Sequence, residues 1–304
     1  GRSMGATGQE NDTTRLRGLP RAVDGSDLHL SRDSFVGADW GHTTSPMYEL
    51  GGELEHRFGG GWRARLTGRH RVTETSMHYT YINSAVTAQK TANFVVANSL
   101  VHDQYDGVDL YFTGPIHAFN RKHDLVIGGN YDSDVMTDGG ASQNSRVNTG
   151  LAGLDIFSPV ISSTIQPDIT TMYREPTRQE GVYGSLRIEL LKSLHLLMGG
   201  RISFYEYKYK NISTNTPYVI SLKNNAVPTP YLGLVWNIIP NISAYVSFTD
   251  TFTPQSGYTP TGRLKPDLGQ QIEGGLKGDF FHHNLNVTLA GYRVIERNKA
   301  MVDG

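Results

Sequence analysis

The feature that most constrains the fold is a long alternation of apolar and polar residues between positions 179 and 252. In the run from Leu194 to Lys210 two opposed sets alternate, which is the period-2 pattern of a strand with one apolar face: Leu196, Met198, Ile202 and Phe204 on one parity, and Arg201, Ser203, Tyr205 and Tyr207 on the other. Globular strands usually run about five or six residues, whereas this alternation lasts roughly sixteen. A strand of that length is typical of a membrane barrel whose wall extends above the bilayer.

Similar runs occur along most of the chain and pair naturally into hairpins. Short breaks at 191–194 and 237–241 separate four of them, which predicts antiparallel neighbours. With the runs that begin after Pro46 and continue to residue 298, we count about ten strands. The predicted fold class is therefore all-β, as an antiparallel transmembrane β-barrel.

The predicted connections fall into two length classes that alternate along the chain. The short set is 59–61, 114–123, 191–194, 237–241 and 281–284. The long set is 75–93, 136–178, 211–225 and 253–267. Short turns at one rim and long loops at the other are the pattern of outer-membrane barrels, with the long loops extracellular.

Composition excludes several classes of function. The formal net charge is −1, so there is no electrostatic case for a nucleic-acid partner. A mean hydropathy of −0.38 would suit a water-soluble protein, but a barrel with a polar lumen gives the same average. The sequence has no cysteine, which removes disulfides and thiolate chemistry. It has no apolar run long enough for a membrane helix, and residues 1–12 do not resemble a signal peptide.

The metal-binding and catalytic candidates are weak. His282 and His283 are adjacent in a short turn, where two rings rarely reach one ion, and we expect no metal site. A small closed outer-membrane barrel acting as a protease is the main alternative, and a passive porin is another. The protease would need catalytic groups from His102, Asp103, Asp106 or Asp132, although their spacing does not compel this. Both alternatives require the first and last strands to pair.

Several stretches resemble the barrel of TonB-dependent ferric siderophore receptors, in the hydroxamate and pyoverdine-type branch. They are residues 18–41, 53–66, 180–207 and 229–298. The last is the most specific, because it resembles the family's strand, aromatic-x-Pro-Gln-Ser loop and Glu-x-Gly-x-Lys-Gly strand. The matching residues are Phe252, Pro254, Gln255 and Ser256, then Pro266 to Gly269, then Glu273, Gly275, Lys277 and Gly278.

The resemblance implies a receptor in the bacterial outer membrane rather than an enzyme. The family's barrel has about 22 strands and a plugged lumen. It takes up a ferric siderophore as transported ligand, with no covalently bound cofactor, and the TonB complex energises transport through the plug. We expect the chain, residues 1–304, to be a segment of such a barrel without the plug, embedded in outer-membrane lipid. Residues 1–45 would be largely extracellular loop, and residues 46–298 would be barrel strands and loops.

Given this resemblance, aromatic and cationic side chains near the outer rim become candidates for contact with the ligand. Tyr205, Tyr207 and Tyr209 form an inward stripe, with Arg201 below them. Stacking and cation contacts from these residues would suit a ferric siderophore. Trp40 and Tyr258, in predicted outer loops, complete the predicted ligand-binding set.

Overall fold

The computed structural model describes residues 20–31, 34–144, 148–255, 258–259 and 262–300, and the fold is all-β. Two 3₁₀ turns, Gly59–Gly61 and Thr149–Leu151, also occur. The strands are β1 (His42–Thr44), β2 (Met47–Arg57), β3 (Arg63–Ile82), β4 (Thr91–Ala92), β5 (Phe94–Ala118), β6 (Arg121–Asn144), β7 (Leu154–Asp155), β8 (Met172–Leu191), β9 (Leu194–Asn211), β10 (Val219–Ile239), β11 (Ile242–Thr253), β12 (Tyr258–Thr259), β13 (Gly262–Arg263), β14 (Asp267–Phe280) and β15 (Leu285–Arg297). No helix long and apolar enough to cross a bilayer occurs among the described residues.

One large antiparallel sheet contains eleven of the described strands, in the order β1-β3-β5-β6-β8-β9-β10-β11-β14-β15, with β2 also paired to β3. The strands β1 and β2 follow one register along β3, since Thr44 lies opposite Ser76 and Met47 opposite Thr73. They therefore form one edge strand interrupted at Pro46, which cannot donate to the ladder. The sheet has ten strand positions, and the prediction of about ten strands is confirmed.

The sheet is open in the part of the chain that the structure describes. The edge strand of β1 and β2 pairs with β3 alone, and β15 pairs with β14 alone. This arrangement fits part of a barrel wall. Closure between first and last strands, which a small complete barrel would need, is not found among the described residues.

The outer face of the sheet is apolar over the lower part of β8, β9 and β10, where lower means the short-turn end. Val182, Ile202 and Trp236 are between 44% and 57% exposed. The remaining outward positions of these strands are apolar residues, glycine or proline up to Phe204 on β9: Gly184, Leu186, Ile188, Leu190, Leu194, Leu196, Met198, Gly200, Pro228, Pro230, Leu232, Leu234 and Ile238. Apolar side chains exposed in such a continuous band belong against lipid hydrocarbon.

The opposite face, called the inner face, is polar at the same height. On β2 and β3, Arg65 Nη2 donates to Glu53 and Arg69 Nε lies 3.8 Å from Glu49 Oε1. Acidic side chains of β2 are therefore paired with basic side chains of β3 across this hairpin. Long inner side chains lie flat over glycines of the neighbouring strand. A Cβ at Gly128 would lie 2.7 Å from the Tyr183 ring, so only glycine allows this close approach.

A small hydrophobic core covers the upper outer face of β3 and β5. Phe94 and Val96 share the parity of the lipid-facing Leu110, and both are fully buried. Residues from the segments 36–40 and 151–165 pack on them: Val36, Ala38, Trp40, Leu151, Leu154, Ile156, Ile161 and Ile165. The long connections therefore fold back over the outside of the extended strands.

Each predicted short turn contains a turn, although 114–123 was predicted too long, since only Phe119 and Asn120 connect β5 to β6. Three of the long connections were also predicted with the wrong bounds. β3 continues to Ile82, β6 to Asn144, and β10 begins at Val219, so strand occupies parts of 75–93, 136–178 and 211–225. The upper ends of these strands have polar residues on both parities. The period-2 hydrophobic signal therefore disappears there, although the backbone ladder continues.

The ladder between β10 and β11 stops at Tyr231, opposite Thr249. Above that point β10 pairs with β9 alone, with Pro228 opposite Ile202 and Pro230 opposite Gly200. Along a strand, the backbone N–H and C=O groups of successive residues point alternately to the two neighbouring strands. Both prolines therefore direct their nitrogens, which carry no hydrogen to donate, toward β11. The prolines thus account for a seam between β10 and β11 in the upper part of the sheet.

Candidate functional site

A concave site, called the upper recess, lies on the inner face toward the long-loop end. Its volume is about 340 Å³. It is lined by Asp103, Asp134, Met136, Glu175, Thr177, Tyr205, Tyr207, Leu222 and Pro254. Five neighbouring strands, β5, β6, β8, β9 and β10, supply all of these residues except Pro254, which begins the connection after β11.

The strand registers bring these side chains together. Thr177 of β8 lies opposite Asp134 on one side and opposite Tyr207 on the other. On the other side of β9, Leu222 of β10 lies opposite Tyr207. Because side chains of one parity share a face, this single row across four strands delivers an acid, a hydroxyl, an aromatic ring and an apolar side chain to one place.

The two tyrosines of the upper recess are held as neutral donors. The Tyr207 hydroxyl donates to Glu175 Oε2 at 2.7 Å. Burial, together with that carboxylate, raises the pKa of Tyr207 well above its usual range, and burial also raises the pKa of Tyr205. Both phenols therefore stay protonated at physiological pH, where they can stack and donate hydrogen bonds.

The acids of the upper recess are partly desolvated. Burial, with the neighbouring Asp103 carboxylate, raises the pKa of Asp134 to about 6. Burial and Glu175 also raise the pKa of Asp138, which lies on β6 beyond the residues that line the recess. Arg71 Nη2 lies 3.4 Å from Asp103 Oδ2 and offsets part of this negative charge. Asp134 Oδ1 is buried without a hydrogen-bond partner among the described residues.

Arg201 lies below the upper recess, in a second inner-face groove of about 630 Å³ that also contains Arg65, Tyr105, Asp132 and Tyr183. Its guanidinium donates from Nη1 to Asn130 Oδ1 at 2.6 Å and from Nε to Ser203 Oγ at 2.9 Å. The predicted order of Arg201 below the tyrosines is therefore what the structure shows.

The other predicted ligand-binding residues lie elsewhere. Tyr209 lies opposite Val219, beyond the residues that line the upper recess, and is 37% exposed. Trp40 packs on His78 with ring centroids 4.4 Å apart and donates from Nε1 to the Ile161 carbonyl at 2.8 Å. It belongs to the core on the outer face, so the sheet separates it from Tyr205 and Tyr207. The side chain of Tyr258 lies outside the described residues.

The histidines and acids of the protease alternative do not form one cluster. His70 Nδ1 lies 2.6 Å from Asp106 Oδ1, and His102 Nδ1 lies 3.5 Å from Glu74 Oε1. These pairs share the parity of Leu110 and face outward, whereas Asp103 faces the upper recess. No group of three or more metal-ligating side chains occurs within the described part of the chain.

Glu175, Asp134 and Leu222 were not among the predicted binding residues. Glu175 and Leu222 fall in stretches that the sequence pattern assigns to loops, and Asp134 is one of several acids on β6. Only the strand pairing shows that they share a row with Tyr207. A useful sequence signal is the alternation of acids at Asp132, Asp134 and Asp138, which places all three on one face.

Comparison with known proteins identifies the family. The sequence model described as "TonB dependent receptor-like, beta-barrel" matches residues 3–303. The chain belongs to this family. Its members are receptors of the bacterial outer membrane and not enzymes, so neither the protease nor the porin alternative is favoured, and the predicted localisation is confirmed.

Two of the curated relatives are receptors for ferric pyoverdine. The chain is 30% identical to the ferric-pyoverdine M114 receptor of Pseudomonas sp. (strain M114), over 94% of this chain and 36% of the relative. It is 28% identical to the ferripyoverdine receptor of Pseudomonas aeruginosa, over 90% of this chain and 33% of the relative. The chain therefore spans about a third of the length of the curated relatives it matches.

A solved structure shows the same fold. The ferripyoverdine receptor of the outer membrane of Pseudomonas aeruginosa, bound to ferripyoverdine, superposes with a TM-score of 0.78. The match has 24% sequence identity and covers 94% of this chain and 38% of the receptor. This agreement shows that the sheet has the fold of part of that barrel, and its open edges are consistent with a partial barrel.

Proposed function

We propose that the protein is an outer-membrane receptor that takes up a ferric siderophore, with transport energised by the TonB complex through a plug inside the barrel. The observation that supports this most directly is the family match along 3–303 together with curated relatives that are ferric-pyoverdine and ferrioxamine B receptors. The upper recess adds a site of suitable chemistry on the inner face, near the extracellular loops.

Within this function, Tyr205 and Tyr207 contact the siderophore, and Asp134 and Glu175 accept hydrogen bonds from it. The recess has four elements that such recognition needs: aromatic faces, neutral phenol donors, carboxylates, and an apolar floor from Met136 and Leu222. Since carboxylates outnumber cations there, it favours a ligand part that carries amide or ammonium donors. Arg201 would face any negatively charged part of the ligand that reaches the lower groove.

The test uses the receptor purified with its natural flanking sequence and titrated with ferripyoverdine and, separately, ferrioxamine B. The double variant Tyr205→Ala, Tyr207→Ala should bind the preferred ligand about tenfold more weakly or worse, since anchoring aromatics typically contribute more than about 1 kcal/mol. Binding is followed by quenching of intrinsic fluorescence.

The matched control is Tyr245→Ala, because Tyr245 is also an inner-face tyrosine bonded to a glutamate, Glu273, but lies outside the upper recess. It should leave affinity unchanged. Equal affinity in the double variant, with normal assembly shown by the heat-dependent shift in electrophoretic mobility, would remove the upper recess from the binding site. Absence of binding by the unaltered receptor to either ferric siderophore would contradict the function itself.

A further inference from the structure

A cavity of about 580 Å³ lies on the outer face beside the seam and is called the trough. Its deepest part is formed by glycine. Gly184 and Gly200 are cross-strand partners on β8 and β9, and Pro230 of β10 lies opposite Gly200. A Cβ at Gly200 would lie 3.1 Å from the Thr229 carbonyl oxygen, so β9 and β10 approach closely there. The outer surface is therefore hollow along this row of partners.

The sides of the trough are apolar. Ile127 of β6 lies opposite Gly184. Val182 and Ile202 are partners in the next row, and Pro228 continues that row onto β10. Val182 and Ile202 belong to the exposed apolar band of the outer face. The trough is therefore a hollow in the lipid-facing surface that hydrocarbon can fill.

The wall is not closed at the β11 end of the trough. β10 pairs with β11 only as far as Tyr231 and Thr249. Asp250, the next residue of β11, lines the trough and pairs with Gln270 of β14, but it pairs with no residue of β10. Backbone groups at an open strand edge are not left facing hydrocarbon alone. An occupant of the seam must therefore offer a polar group to this edge as well as apolar surface to the trough.

The seam also reaches the upper recess on the inner face. Leu222 of β10 and Pro254, which follows β11, both line the recess and stand on opposite sides of the seam. Further down, Tyr183 and Arg201 line both the trough and the lower groove. The seam therefore lies between a polar site inside the wall and an apolar cavity outside it, with no pairing of β10 to β11 above Tyr231.

The two edges of the seam restrict what can pass between them. A peptide strand would need N–H donors from both edges, but Pro228 and Pro230 supply none on the β10 side. An α-helix is about 10 Å across with its side chains, which is too wide to pass between two strands of one sheet. A single acyl chain needs no hydrogen bonds along its length, and an amide at its polar end can donate to the Asp250 carboxylate.

We propose that the seam is a lateral opening in the barrel wall for a ferric siderophore that carries one acyl chain. The iron-binding head lies in the upper recess, and the chain passes through the seam into the trough. Contact with the trough stabilises the complex because each methylene group that leaves water contributes to affinity. This inference rests on the proposed function and narrows its ligand to an amphiphilic class.

The experiment uses the receptor with its natural flanking sequence in nanodiscs of phosphatidylcholine. The probes are derivatives of ferrioxamine B whose terminal amine carries an acetyl or a dodecanoyl group, and radioactive iron reports their binding. The dodecanoyl derivative should bind at least about tenfold more tightly than the acetyl derivative. The double variant Val182→Trp, Ile202→Trp fills the trough with two cross-strand rings. It should abolish this gain and leave the affinity for the acetyl derivative unchanged.

The matched control is Leu276→Trp, Leu289→Trp, an exposed cross-strand pair on the outer face of β14 and β15 that lies outside the trough. It should keep the gain, since the dodecanoyl chain partitions equally into the lipid around either variant. Equal affinity for the two derivatives in the unaltered receptor, or the same change in both variants, would overturn the proposal. Failure of both derivatives to bind while unmodified ferripyoverdine or ferrioxamine B does bind would overturn it too. If no unmodified siderophore binds, the proposed function fails as well.

Discussion

The lower and upper halves of strands β8, β9 and β10 belong to the same hydrogen-bonded sheet, but they differ in the polarity of the side chains on their outer face. In the lower half, every outward residue is apolar, glycine or proline, and the inner face is polar. In the upper half both faces are polar, yet they differ in charge: Arg178, Lys208 and Lys223 lie on the outer face, and the acidic upper recess lies on the inner face. The sequence of the lower half is therefore restricted by contact with lipid, a restriction that does not apply to the upper half.

The largest difference in stability between the two halves should come from substituting a charged residue on the outer face. Val246 is 50% exposed, faces outward in the lower half and lies opposite Leu234 and Gly274. Val246→Arg should lower the free energy of unfolding by about 2–4 kcal/mol, because the guanidinium must enter hydrocarbon near the bilayer midplane. Urea unfolding in lipid vesicles, followed by tryptophan fluorescence, measures the change.

Val135→Arg is the matched substitution on the upper outer face, where Val135 lies opposite Gln104 and Pro176. This variant should lower the free energy of unfolding by no more than about 1 kcal/mol, since the position lies at or above the interface between lipid and water. Similar losses for both variants would show that the boundary between the lipid-facing and water-facing halves is drawn at the wrong height.

Sequence patterns predict the lower half well because burial in lipid requires strict alternation. The strands, the short turns and the inward parity of Tyr205 and Tyr207 all follow from it. The upper half gives no such pattern, so the ends of β3, β6 and β10 were predicted as loop. The recess residues Glu175 and Leu222 become neighbours of Tyr207 only through strand register, and the packing of Trp40 on the outer face depends on connections that fold back over the sheet.

On the inner face of the upper half, a smaller effect is expected in the pH dependence of the free energy of unfolding. Burial and Asp103 raise the pKa of Asp134 from an ordinary value of 3.8 to about 6, so the folded protein keeps a proton that the unfolded chain releases. The free energy of unfolding should therefore fall as the pH rises through this interval, and the penalty should be fully present above about pH 6. Asp134→Asn should flatten this part of the curve.

The control is Asp168→Asn, because Asp168 is exposed in the connection before β8. Urea unfolding at a series of pH values compares both variants with the unaltered protein. If Asp134→Asn and Asp168→Asn give the same pH profile, the acid at the upper recess is not desolvated. If the proposed function holds, Asp134→Asn should also reduce the pH dependence of siderophore affinity across the same interval.

The smallest effect concerns the seam, where the ladder between β10 and β11 is complete below Tyr231 and absent above it. The double variant Pro228→Thr, Pro230→Thr supplies two N–H donors directed at β11, and continuation of the register places Asp250 opposite residue 230. Each new hydrogen bond would contribute about 0.5–1.5 kcal/mol, but loss of the prolines frees the unfolded chain by about 0.4–1 kcal/mol each. Global stability should thus change little, while the amides of residues 228 and 230 should exchange slowly with solvent deuterium.

Pro240→Thr is the control for the seam, since Pro240 lies in the short turn between β10 and β11 and faces no ladder. Its new amide should exchange rapidly. Rapid exchange at residues 228 and 230 as well would mean that the prolines do not hold the seam open. The separation would then follow from the course of the connection after Thr253, whose first proline, Pro254, lines the upper recess. Slow exchange would instead show that two missing donors suffice to divide a sheet that is continuous through the bilayer.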